Sequence, residues 1–222
     1  MTMPRDLPES WTEEGEFAID PLVRRAAVDP FKRMIDVLGS GVGLVLLLPL
    51  LLLVALTIML ESPGWPVFCQ RRTGYDGRPF VIYKFRSMRV CEDGPNIVQA
   101  VRDDDRITNV GRWIRRTSID ELPQLLNVLK GEMSLVGPRP HALAHDTYYG
   151  ELVPRYDHRF LAKPGLTGLA QVSGLRGRTE DVSDMAARVE KDVEYIETWS
   201  LLLDIKILLR TVLIFAFHPA AY

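Results

Sequence analysis

Between Val37 and Leu60 lie 24 consecutive residues without a charge, VLGSGVGLVLLLPLLLLVALTIML. A helix of that length rises about 36 Å, enough to cross the roughly 30 Å hydrocarbon core of a bilayer. A buried core helix is the soluble alternative. A chain of 222 residues has too little interior to cover a helix that is apolar on every side. The segment therefore points to membrane insertion. The remaining length allows one further domain with a core of its own.

How the segment sits in the membrane is a separate question. Arg24, Arg25, Lys32 and Arg33 precede it, and Arg71, Arg72, Arg78, Lys84, Arg86 and Arg89 follow it. Lysine and arginine favour the cytoplasmic side, and here both flanks are basic. Pro49 stands at the middle, where it removes a backbone donor and crowds the preceding turn. A helix broken at Pro49 that dips in and returns to one face accommodates both facts. A kinked spanning helix is the alternative, since proline is tolerated in such helices.

A second apolar stretch, Trp199 to Phe217, is interrupted by Asp204, Lys206 and Arg210, each costly at a bilayer centre. Lys206 and Arg210 share a helix face, as expected for a helix lying in the interface or packed on the soluble part. Asp204 groups instead with Leu201 and Leu208, so it is either buried with a partner or functional.

In the middle of the chain, Val67–Gln70 and Phe80–Phe85 read as strands around a hairpin turn at Tyr75, Asp76 and Gly77. Lys84 and Arg86 leave the second strand on one side, a pair suited to phosphate groups. The region from Cys91 to Val101 reads as loop, Asp103 to Asp105 as a solvated turn, and Val110 to Arg115 as helix.

The run RRTSIDELPQLLNVLKGEMSLVGPRP, Arg115 to Pro140, carries adjacent carboxylates at Asp120 and Glu121. Ser118 and Glu121 fit a capping box ahead of an apolar stripe of Leu122, Leu125, Leu126 and Leu129, ended by Lys130 and Gly131. Pro123 suits a first helical position. A helix starting there would leave Asp120 and Glu121 just outside its positive end, where an ionised carboxylate serves as nucleophile or metal ligand. Both readings stand at this level. Arg139, held between Pro138 and Pro140, is pre-organised to clamp phosphate.

Lys163 to Gly177 reads as a glycine-punctuated loop able to bring backbone N–H groups to a nucleotide. Residues 180–197 read as an exposed helix with a solvated charged face. His141, His145, His158 and His218 have no metal-like or triad-like spacing. Cys69 and Cys91 form no CxxC pair, so neither a disulfide framework nor a zinc site is indicated. A reducing, cytoplasmic setting is the simpler reading. The net charge of −2 and the lack of a nucleic-acid motif argue against a nucleic-acid partner. Residues 1–30 form a polar lead-in without a secretory signal.

Taken together, KRMIDVLGS, PFVIYKFRSM, the Arg115–Pro140 run, KPGLTGLAQVSG and WSLLLDIKIL resemble the bacterial sugar transferases, the monotopic phosphoglycosyl transferases, over about residues 30–217. The resemblance implies a mostly α fold with a small β-hairpin (α+β). It also implies an N-terminal re-entrant helix-break-helix and interfacial amphipathic helices. Residues 1–30 would be lead-in, 31–61 the re-entrant element, 62–217 a cytoplasmic catalytic domain with its interfacial helix, and 218–222 a tail. The implied reaction moves a hexose-1-phosphate from a UDP-sugar to undecaprenyl phosphate with release of UMP, and requires Mg²⁺. By position, Asp120 would be the nucleophile that forms a phosphosugar intermediate, and Glu121 would hold Mg²⁺ together with Asp120 or position the diphosphate. Lys84, Arg86, Arg115 and Arg139 would meet phosphate oxygens, with Asp204 completing the polar site.

The setting would be the cytoplasmic face of the bacterial inner membrane, among its lipids, and a homodimer is an assembly left open. Asp105 stands where many relatives have proline, and Leu169 where many have tryptophan. Longer relatives carry additional spanning helices, so this reads as a minimal catalytic form. The C-terminal half resembles glucose-type transferases most, which favours UDP-glucose as donor, UDP-galactose next, with an N-acetylhexosamine donor as the alternative. A non-catalytic membrane scaffold and a lipid-phosphate phosphatase are the competing classes.

Overall fold

A computed structural model describes residues 25–89, 104–177, 179 and 181–217. The expected lead-in up to residue 24, the loop from Cys91 to Val101, Asp103, His218 and the tail lie outside the described residues. After a short turn of helix α1 (Arg25–Val28), α2 runs from Pro30 to Glu61. Asp29 starts it by accepting from the Lys32 amide at 2.8 Å, and a proline stands at its beginning, where no donor is lost. The helical residues continue without interruption through Pro49. The break expected there is therefore not a separation into two helices, since one missing backbone bond does not end a helix this long.

Helix α2 is long and apolar enough to cross a membrane, and most of its surface is uncovered. Its buried residues fall at its two ends: Lys32, Asp36 and Ser40 near the start, Val54 and Ile58 near the finish. Both ends dock on the same body. Asp36 accepts from the Ser134 hydroxyl and the Leu135 amide, and Arg33 donates to the carbonyls of Val128 and Leu129. At the other end Val54 and Ile58 pack with Phe85 and Ile114. Glu61 there accepts from the amides of Asn109 and Val110 at 2.7 and 3.0 Å, which meets the unpaired donors that open the next helix. Leu38, Val45, Leu46, Leu52, Leu53 and Leu60 stay exposed on the outer face. This arrangement fits a monotopic membrane protein.

The hairpin forms as expected, with β1 (Val67–Thr73) antiparallel to β2 (Pro79–Phe85). Asp76 and Gly77 both take positive φ in the turn, the conformation for which an Asp-Gly pair is suited. Helix α3 (Asn109–Arg116) is capped by Thr108. A 3₁₀ turn (Ile119–Gln124) and α4 (Leu125–Lys130) follow, and Gly131 ends α4 at φ 88°. In α4 the inward face is Leu125, Asn127 and Val128, whereas Leu126 and Leu129 are exposed. The 3₁₀ turn shifts the phase of the helix, so the leucine stripe read from the sequence is only partly the buried one.

Two short parallel strands, β3 (Ser134–Val136) and β4 (Gly165–Thr167), lie at the centre. Between them come α5 (Leu143–Leu152) and a second 3₁₀ turn (Tyr156–Leu161). After β4, α6 (Leu169–Val172), α7 (Val182–Glu197) and α8 (Leu201–Phe217) complete the described chain. The glycines of the 163–177 region have a packing role. A Cβ at Gly165 would lie 2.1 Å from the Gly137 nitrogen, and one at Gly137 2.3 Å from the Lys163 carbonyl oxygen. They let backbones touch, a packing role that the sequence reading had not assigned to them.

Helix α7 corrects a second expectation. Met185, Arg188, Val189, Asp192, Val193, Tyr195 and Ile196 are buried, so this is a core helix. Its charges misled because two of them are buried, Asp192 against Arg159 and Arg188 against the Gly177 carbonyl. Helix α8 keeps Lys206 and Arg210 in solvent and buries Asp204 and Ile207, as its split pattern requires.

Candidate active site

The two adjacent carboxylates are set by a break between α3 and the 3₁₀ turn. Ser118 adopts φ 55°, a conformation that costs a non-glycine residue about 1–3 kcal/mol. The reversed backbone swings Asp120 and Glu121 toward β2. No capping box forms: the Ser118 side chain caps nothing and its hydroxyl accepts from Arg176. Glu121 has other partners. Its carboxylate takes both terminal nitrogens of Arg139 and, at 2.9 Å, the Lys84 ammonium from β2. Burial opposes its ionisation, yet Arg139 and Lys84 hold its carboxyl well below the usual range. Glu121 is thus a fixed anion between two cations.

Asp120 differs from its neighbour in every respect. It is partly exposed and accepts no hydrogen bond from any described residue. Burial first, and the charge of Glu121 second, push its carboxyl up to about 6, against the pull of Lys84, Arg115 and Arg139. A carboxylate kept short of partners is a strong base and a strong nucleophile once ionised. Burial lowers the Lys84 ammonium, with Glu121 opposing. Lys84, Arg115, Asp120, Glu121 and Arg139 therefore form one electrostatic cluster, as expected from the sequence.

Two expected members have partners of their own. Arg86 donates to the carbonyls of Ser62, Pro63 and Gly64, closing the turn that follows α2. Asp204 accepts from Lys32 at 2.6 Å, from the Tyr195 hydroxyl at 2.8 Å and from the Trp199 indole at 3.2 Å. Lys32 also donates to the Val136 carbonyl. The buried Lys32–Asp204 pair ties the start of α2 to α8 and β3. That resolves the alternatives for Asp204 in favour of an acid buried with a partner.

The structure adds residues that the sequence reading missed. Arg159 is 3% and Asp192 1% exposed. The Arg159 Nε donates to Asp192 at 2.9 Å, one terminal nitrogen lies 2.8 Å from His141 Nδ1, and the other donates to the carbonyl of Arg139. Burial and neighbouring arginines hold His141 well below the usual histidine range, so it is neutral and Nδ1 can accept. Tyr156 stacks against Arg159 and donates to Asp146. This network holds the Pro138-Arg139-Pro140 turn from behind, and with it the Arg139–Glu121 contact. Arg159 and Asp192 are 33 residues apart, so no local pattern could have paired them.

A cavity of about 380 Å³ opens beside Glu121 and Arg139. Its walls come from the 3₁₀ turn, β4, α6 and α8 and mix aliphatic side chains with polar ones, Arg116, Arg139 and Arg176 among them. The arrangement sets a partly exposed carboxylate beside fixed cations, a combination suited to a polyanion.

The model of the bacterial sugar transferases matches residues 27–218. The chain belongs to this family. Among curated bacterial sugar transferases, the chain is 60% identical over 188 residues to a UDP-glucose:undecaprenyl-phosphate glucose-1-phosphate transferase of Caulobacter vibrioides. That match covers 85% of this chain and 70% of the relative. A transferase of the same description from Escherichia coli is 48% identical over 191 residues, 86% of this chain and 41% of the relative. The exopolysaccharide production protein PSS of Rhizobium leguminosarum is 47% identical over 186 residues, 82% of this chain and 92% of the relative.

Proposed function

We propose that this bacterial sugar transferase moves glucose-1-phosphate from UDP-glucose to undecaprenyl phosphate and releases UMP. In this reading it acts at the cytoplasmic face of the inner membrane and starts the assembly of an exopolysaccharide, capsule or O-antigen. The observation that carries the reading is the contrast between two neighbours: Glu121 held ionised by Lys84 and Arg139, and Asp120 beside them accepting no hydrogen bond from a described residue. An Asp120 oxygen attacks the sugar-bearing phosphorus of UDP-glucose, and the bond to the bridging oxygen breaks as UMP leaves. An oxygen of undecaprenyl phosphate then attacks the same phosphorus and frees Asp120. Lys84, Arg115 and Arg139 offset charge on the diphosphate, without which an anion would not approach it. Two substrates of opposite solubility thus use one site in turn, with ping-pong kinetics.

The donor set fits Mg²⁺. Asp120 and Glu121 are hard oxygen ligands, and among the described residues no group of three or more His, Cys, Asp or Glu could hold a metal. Magnesium is commonly held by one or two carboxylates with substrate phosphates completing its shell. Asp120 and Glu121 would hold it here, and when bound it withdraws charge from the diphosphate.

The same reading makes α2 re-entrant. A straight helix of its 32 residues is about 48 Å long, and if it spanned the bilayer its ends would be on opposite faces. Both ends dock on one body, none of the buried α2 residues lies between Ser40 and Val54, and Pro49 falls in that stretch. These facts support entry and return on one side, bent at Pro49.

Purified protein given UDP-glucose and undecaprenyl phosphate should release UMP. With UDP-glucose alone, the wild type should gain one hexose-phosphate by intact mass, mapped to Asp120. UMP release by Asp120→Asn at the wild-type rate would refute the assignment, as would a scaffold's indifference to both substrates. Tags at both termini should be reached from the cytoplasmic side; protection of one alone would refute the re-entrant arrangement.

A further inference from the structure

Arginine and hydrocarbon meet in the wall of the cavity beside Glu121. Arg116, Arg139 and Arg176 line it, and so do Leu135, Leu208 and Ile214. Several of its polar groups are spent inside the protein. Thr117 donates to the carbonyls of Trp113 and Ile114. Thr167 and Thr211 lie 2.8 Å apart, and Thr211 donates to the Ile207 carbonyl at 2.8 Å, so the Thr167 proton goes to Thr211. The carboxamide atoms of Gln171 are sealed from water. The surface facing the cavity is therefore mostly carbon, and its positive charge comes from the three arginines. Of these, Arg139 holds Glu121 and Arg176 donates to Ser118. Arg116 is exposed and makes no hydrogen bond or ion pair with a described residue.

Two helices with uncovered apolar surface flank this cavity. Leu135 touches both the cavity and α2, where a Cβ at Gly39 would lie 2.8 Å from Leu135 Cδ1. Gly39 precedes Ser40, after which no α2 residue is buried until Val54. The contact thus falls where α2 leaves the protein body. On α8, Leu208, Thr211 and Ile214 face the cavity, while Leu209, Val212 and Leu213 are exposed. No charged residue follows Arg210 in this helix. Such a wall suits an amphiphile whose tail stays in a bilayer.

Under the function proposed above, on which this inference rests, we propose that the cavity takes the phosphate end of the lipid acceptor. Its first isoprene units lie against Leu208 and Ile214, and its phosphate meets Arg116. Arg139 and Glu121 in the same wall place that phosphate beside the cluster around Asp120. A volume of about 380 Å³ lies in the range of small-molecule sites and does not enclose a whole undecaprenyl chain, so the remainder stays in the bilayer. The sugar of the donor is the competing occupant, since guanidinium groups also bind hydroxyls. The flanks favour the lipid: a soluble nucleotide sugar has no use for a wall continuous with uncovered apolar helices.

Ile214→Trp fills the cavity without adding charge, and Arg116→Gln removes a cation from an exposed position where packing is untouched. Each should raise KM for undecaprenyl phosphate about 10–100-fold, and Arg116→Lys should recover part of the loss. The rate at which UDP-glucose alone loads hexose-phosphate onto the protein should stay within about twofold. Binding without turnover is read by calorimetric titration of farnesyl phosphate, a short isoprenoid phosphate, in detergent. Wild type should bind it, and both variants should weaken it about 10–100-fold. That answer survives if no UDP-sugar proves to be a donor, an outcome that would overturn the proposed function instead.

Four results would overturn the inference. Slower loading from UDP-glucose with unchanged acceptor constants assigns the cavity to the donor. Unchanged farnesyl phosphate affinity in either folded variant removes the tail or the phosphate contact. Failure of wild type to bind farnesyl phosphate removes both. Displacement of farnesyl phosphate by an equal amount of dioleoyl phosphatidic acid in mixed micelles assigns the cavity to bilayer lipids at large.

Discussion

Replacing Asp120 by asparagine should abolish turnover and at the same time stabilise the protein. The carboxyl is pushed from 3.8 up to about 6 by burial and by the charge of Glu121. At 1.36 kcal/mol per pH unit, that gap amounts to about 3 kcal/mol held against the folded state, and partial solvent access reduces it to about 1–3 kcal/mol. The sign follows from linkage. The folded state binds the Asp120 proton more tightly than the unfolded chain does, so wild type loses stability as pH rises from about 4 through about 6. Above that the full penalty applies, and below about 4 both states are protonated and it vanishes.

Asparagine carries no charge at any of these pH values. In detergent, the thermal midpoint of Asp120→Asn should exceed that of wild type at pH 7.5 by about 2–12 °C, using 2–4 °C per kcal/mol for a chain of this size. The difference should narrow toward zero near pH 4. A variant that melts below wild type at pH 7.5, or a difference that does not change with pH, would refute the claim that Asp120 is held under electrostatic stress.

Four further outcomes follow from the same geometry. The rate of adduct formation with UDP-glucose should fall below a pH of about 6 as Asp120 protonates; in Glu121→Gln the limb should move to lower pH, because a like charge is gone, and an unmoved limb would contradict the pairing. Lys84→Met should lower kcat by about 10²–10³ with little change in melting, measured by UMP release. Arg159→Met should cost about 3–5 kcal/mol by leaving Asp192 buried and unpaired, whereas Arg159→Lys, if folded, should lower kcat more than it changes KM by loosening the Arg139 turn. Asp204→Asn should destabilise through Lys32, yet the paired Lys32→Met, Asp204→Leu replacement should recover both stability and activity; a folded but inactive double variant would return Asp204 to the chemistry.

Much of the site was legible from residue type and spacing. Adjacent carboxylates, an arginine between prolines and a strand lysine converge as expected, since a polyanion-handling site needs those groups whatever holds them. The positions of Arg86 and Asp204 were not legible. A cation two residues from Lys84 looks equivalent in sequence, but Arg86 emerges beyond the strand end, where it donates to three backbone carbonyls. Ser118 and Glu121 satisfy a capping box on paper, and the positive φ at Ser118 removes the helix it would have capped. His141 lacked a local signal because its partners, Tyr156 and Arg159, come from a separate turn.

The sequence by itself determined the long apolar helix, the hairpin and the adjacency of the two carboxylates in the Arg115–Pro140 run. Each of these is a local property: length without charge, alternation around Asp-Gly, reactive groups side by side. Only the tertiary structure decided which charges are partners and which are free. Arg159 with Asp192 and Lys32 with Asp204 are long-range pairs, and Glu121 is neutralised by residues 37 positions before it and 18 after it. The physical reason is that a carboxylate's state depends on the charges and water around it in space. Asp120 and Glu121 are chemically alike and adjacent in the chain, and the fold alone separates the one held by Lys84 and Arg139 from the one that accepts no hydrogen bond from a described residue.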